Sequence, residues 1–129
     1  MLNDADKKNI LDFLLKKISD ISSKEYQTRV WIQGKGPEWD DFSETVCCFF
    51  SDADPIIESY KEFGITDEQN LILKRFRDEF DAFSSKHHEA FEFIDTPEWA
   101  EIMEKAKEVL KAFNFVKKPF SMDPKKLDD

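Results

Sequence analysis

The sequence predicts an all-α fold, on three observations. Apolar residues recur at spacings of three and four along most of the chain. Only three Gly and five Pro occur in 129 residues, too few turn formers for a sandwich or a barrel. Thirteen Phe and three Trp supply a core even though 36% of the residues are charged, and disordered segments are poor in aromatics. The length fits one domain. Five helices are expected within residues 1–116, followed by a loosely held tail over 117–129.

The elements follow in order. Asn3 or Asp4 can cap a first helix whose apolar stripe is Ile10, Leu11, Leu14, Leu15, Ile18 and Ile21. It should fade at Ser22-Ser23. Tyr26 to Gln33 is short, alternating and rich in β-branched and aromatic residues, so it reads as an extended segment, although no partner strand is evident. Gly34-Lys35-Gly36 is a loop. Pro37 suits the first turn of a second helix carrying Trp39, Phe42, Val46, Phe49 and Phe50. Asp54-Pro55 should restart the chain as a short third helix through Glu62, ended by Gly64. Thr66 to Gln69 is a capping box opening a fourth helix with the stripe Leu73, Phe76, Phe80 and Phe83. Residues 84–88 read as a loop. Thr96-Pro97-Glu98 starts a fifth helix with Trp99, Ile102, Met103, Ala106, Leu110 and Phe113 on its apolar face.

The charge is unevenly placed. The net charge is −9. Ten acids lie between Glu38 and Glu68, with Lys61 the one base among them, so this 31-residue window alone carries −9. The other 18 acids are matched by 18 Lys and Arg. Such a balance disfavours direct nucleic-acid or anionic-membrane binding, both of which need a basic footprint. No stretch reaches the roughly 18 apolar residues of a membrane span, and the first residues lack an apolar signal region, so the expected location is the cytoplasm. There Cys47 and Cys48, adjacent in sequence, are expected to be reduced and partly buried.

Candidate chemistries are sparse. His87, His88 and Glu92 are the obvious metal set, but no HExxH and no paired Glu-x-x-His motif occurs. Glu101 and Glu104 have no His near them, and Asp52 and Asp54 lack the Gly and terminal Glu of a calcium loop. Acidic surroundings raise thiol pKa values, which argues against a Cys47 or Cys48 nucleophile. Gly34-Lys35-Gly36 is too short for a phosphate loop. The expectation is a protein with no catalytic residue, metal or cofactor. Crowded like charges cost stability, so the acidic window points to a partner with a basic patch. The candidate contact residues are Asp40, Asp41, Glu44, Asp52, Asp54, Glu58, Glu62, Asp67 and Glu68, with Trp39 as an anchor; Trp31 is the other candidate aromatic. A nuclease active site is such a patch, because it holds phosphates. The rival readings are a small carboxylate- or metal-dependent enzyme and a helical interaction adaptor.

The segments RVWIQGKGPEWDDFSETVCCFF, SYKEFGITDEQ and RFRDEFDAFS resemble small acidic proteins encoded beside bacterial polymorphic toxins. The resemblance is to the immunity proteins of contact-dependent growth inhibition systems, and it spans Arg29 to Phe113. Such proteins share no universal motif, so no residue roles carry over. The resemblance implies a cytoplasmic protein that binds one cognate toxin and blocks its active site; many such toxins are nucleases.

Overall fold

In a computed structural model, which describes residues 3–36 and 40–115, the chain is all-α. Helix α1 spans Asp4–Ser22, α2 Lys24–Tyr26, α3 Phe42–Glu58, α4 Asp67–Ser84, α5 Ala90–Phe93 and α6 Pro97–Ala112. A π-helical turn, Gln27–Ile32, continues α2, and a 3-10 turn, Tyr60–Phe63, follows α3. Among the four long helices, α1 packs on α3 and α6, and α4 packs on the same two. The four therefore close a ring in which each touches two neighbours. One core fills it, from Leu14, Ile18 and Ile21 of α1, Phe49 and Ile56 of α3, Leu73, Phe76 and Phe80 of α4, and Trp99, Ala106 and Val109 of α6. Edge-to-face ring pairs order the centre: Phe49 stands 5.5 Å from Phe76 and 5.2 Å from Phe80. Each such pair adds about 0.5–1.5 kcal/mol to the area buried.

The helix starts are set locally. The Asp6 N–H donates to the Asn3 side chain at 2.8 Å, and the Asp6 carboxylate accepts from the Asn3 N–H, completing a capping box. Thr66 and Gln69 form the expected second box, and the Thr96 hydroxyl caps α6 with Pro97 in its first turn. Gly64 ends the 3-10 turn at φ +72°, a conformation that an L side chain would strain.

Four expectations change. Residues 26–33 are not extended: they form the end of α2 and the π-turn, closed by the Gln33 N–H donating to the Thr28 carbonyl at 3.0 Å. An isolated strand would leave its backbone groups unpaired, whereas the helical path turns Gln27 and Val30 into the core. The second helix does not start at Pro37. It starts at Phe42, where Asp41 is the N-cap and accepts from the Glu44 N–H at 2.8 Å; Pro37 and Trp39 lie outside the described residues. No helix restarts at Asp54-Pro55, because α3 runs through Pro55 to Glu58. The missing Pro N–H frees only the Ser51 carbonyl, and Ser51 is exposed, so water can satisfy it. Finally, Cys47 and Cys48 are both exposed rather than partly buried, since they stand off the inward stripe of Phe42, Thr45, Phe49, Ala53 and Ile56. The tail over 117–129 lies outside the described residues.

Candidate functional site

The acidic window divides into carboxylates used inside the fold and carboxylates left open. Asp40 belongs to the first class. Its side chain is 7% exposed, so it is not part of an outward acidic surface. It accepts from the Tyr26 hydroxyl at 2.7 Å, the Trp31 indole N–H at 3.1 Å and the Thr45 hydroxyl at 2.9 Å. The Lys17 ammonium stands 3.8 Å away. A buried carboxylate is tolerable only with such partners. This one ties the π-turn to the start of α3. Trp31 follows from it: the ring is half-buried and packs against the core, 5.7 Å from Phe42 and 6.1 Å from Trp99. Trp39 lies outside the described residues. Replacing Asp40 by Asn keeps one acceptor but removes the charge that these donors face. The expected loss is about 2 kcal/mol of unfolding free energy, read by urea denaturation; an unchanged midpoint would show that the donors do not need the carboxylate.

Other acids have partners nearer the surface. Asp41 caps α3. Asp54 receives Arg77 through both oxygens, Nε at 2.9 Å and one terminal nitrogen at 3.4 Å. The Arg77 guanidinium, which also lies over the Phe50 ring, has its pKa raised by that Asp54 hydrogen bond. Asp67, in the first turn of α4, accepts from the Tyr60 hydroxyl, and this bond raises the Tyr60 pKa. Asp52 is half-buried on the side of α3 facing Lys17, and burial raises its pKa more than Lys17 lowers it. An acid whose pKa is higher folded than unfolded favours the fold at low pH and opposes it once pH rises past the folded value. Asp52→Asn should therefore be more stable than the parent at pH 7, with the difference closing as pH falls below the ordinary aspartate range. Denaturation midpoints across pH 3–7 check this, and a difference that grows toward low pH contradicts it.

The open carboxylates are Glu44, Glu58, Glu62 and Glu68. All four are exposed, and none has a side-chain partner among the described residues. Glu44, Ser51 and Glu58 recur every seven residues, so they lie along one line of α3, spanning about 21 Å at 1.5 Å per residue. Cys47, Cys48, Ser51 and Pro55, all exposed, fill the space between the two glutamates. Apart from Asp54, which Arg77 holds, the outward face of α3 thus has an uncharged middle and acidic ends. Glu44 sits in the first turn, where a helix favours an acid. Glu58 sits in the last turn, which holds no cation and where the helix's negative pole disfavours an acid. Local stability therefore accounts for Glu44 but not for Glu58. Glu62 and Glu68 carry the acidic run onward through the 3-10 turn and into α4.

The other candidate sets do not assemble. The His87 ring packs on Phe83 with centroids 4.3 Å apart, while His88 and Glu92 are exposed. Glu104 is paired with Lys107 at 3.0 Å and Glu101 is exposed. Among the described residues, no group of three or more His, Cys, Asp and Glu could hold a metal ion. Open clefts among the described residues include one of about 340 Å³ between α4 and α6 near Gln69 and Lys111 and one of about 560 Å³ beside the π-turn. Among the described residues, no helix is long and apolar enough to cross a membrane. The polar centre that sequence reasoning missed is Gln27, fully buried, which donates to the Asp20 and Ile21 carbonyls at 3.1 and 2.8 Å and accepts from the Trp99 indole N–H at 2.8 Å. Comparison with protein-family models, with curated proteins and with solved structures gives no match.

Proposed function

We propose that the chain is a non-catalytic, cytoplasmic immunity protein that binds a cognate bacterial toxin, a nuclease with a basic active site, and blocks it. The observation that carries this reading is the open face of α3 with its unpartnered end, Glu58, followed by Glu62 and Glu68. Glu58 neither caps, pairs nor helps the helix dipole, and a basic surface is the complement of such an open carboxylate. An interface with a weakly polar middle and a charged rim has the anatomy of protein–protein contacts, and Cys47, Cys48, Ser51 and Pro55 supply such a middle here. The sequence resemblance points to the same class of partner. Within this reading the contact set narrows to Glu44, Glu58, Glu62 and Glu68, with Asp40 reassigned to the interior.

The test is co-expression with the C-terminal domain encoded by the gene immediately upstream. Rescue of growth together with co-purification of a stoichiometric complex is the expected result. An upstream gene with no toxin domain, or a toxic domain that this protein neither binds nor neutralises, overturns the reading. In the complex, labelling of Cys47 and Cys48 by a thiol reagent should slow at least tenfold. Both thiols are exposed in the free protein, and their position makes them a footprint of the docked partner.

A further inference from the structure

We draw no further inference here: the strongest candidate, the cleft of about 560 Å³ lined by Lys24, Thr28, Arg29, Gln33 and Lys35 beside the π-turn, carries nothing because Lys24 is already paired with Asp95 and Arg29 is bonded to the Lys35 carbonyl, and nothing in the structure shows what covers it.

Discussion

Replacing Gln27 by Leu is expected to lower the unfolding free energy by about 3–5 kcal/mol, a large share of the roughly 5–15 kcal/mol that a domain of this kind has. Leu and Gln are close in volume, so a cavity is not the cause. The loss comes chiefly from two polar groups left without their partner, the Ile21 carbonyl and the Trp99 indole N–H, where Gln27 sits, fully buried, between the end of α1 and the start of α6. The last turn of α1 contains no cation to meet its carbonyls; the Gln27 amide takes that part for Ile21 and shares the Asp20 carbonyl with the Ser23 N–H. Its own oxygen meets the indole N–H of Trp99, which is also fully buried. Urea denaturation followed by circular dichroism reads the effect, with Gln33→Leu, at an exposed position of the same segment, as a control expected to change by less than about 0.5 kcal/mol. A Trp99→Phe change in the Gln27→Leu background removes the stranded N–H, so the two changes together should cost less than their sum. A Gln27→Leu protein within about 1 kcal/mol of the parent would contradict this account.

The reason Gln27 was invisible in the sequence also explains which parts of the fold were legible. The cap at Asn3, the box at Thr66 and Gln69 and the start at Thr96-Pro97 are each decided within four residues, so their chemistry is written locally. The stripe Leu73, Phe76, Phe80 and Phe83 is legible because burial repeats with the helix period, and all four are buried. Gln27 finds its partner 72 residues away in Trp99, and no local pattern encodes that meeting. The π-turn was misread for a related reason. Its residues favour strands by type, and contacts from outside the segment, among them those of Tyr26 and Trp31 with Asp40, go with the helical path. Pro55 misled in the opposite direction, because a proline near a helix end frees one carbonyl and that carbonyl lies on the open side. The candidate surface was legible only as a total. A count of charges gives the window its −9 but not the direction of each side chain. Asp40 points inward and Asp54 toward Arg77, whereas Glu44 and Glu58 have no such partner.

That division fixes how the docking face must be tested. The triple reversal Glu44→Lys, Glu58→Lys and Glu62→Lys should slow association with the toxin domain by about 10- to 1,000-fold at low salt, the range over which electrostatic steering acts. It should also weaken the salt response, since the three reversals take the window from −9 to about −3 and added salt slows an encounter less as its attraction falls. The fold should survive, because the three side chains are exposed and have no partners among the described residues. Glu58→Lys places a cation at the end of α3 where the helix dipole favours one, so this change alone should leave stability equal or raise it by a few tenths of a kcal/mol. Reversing Asp40 or Asp41 would serve badly. The first would put an ammonium among the Tyr26, Trp31 and Thr45 donors and beside Lys17, and the second would remove the cap of α3. Lost binding would then report lost folding. Stopped-flow association at two salt concentrations, beside a denaturation curve for each variant, separates the outcomes. An unchanged rate and salt slope in a folded triple variant would remove α3 as the docking face. A protein that gains stability at Glu58 while losing its partner would show that this carboxylate is kept for binding, at a position where the helix by itself would favour a base.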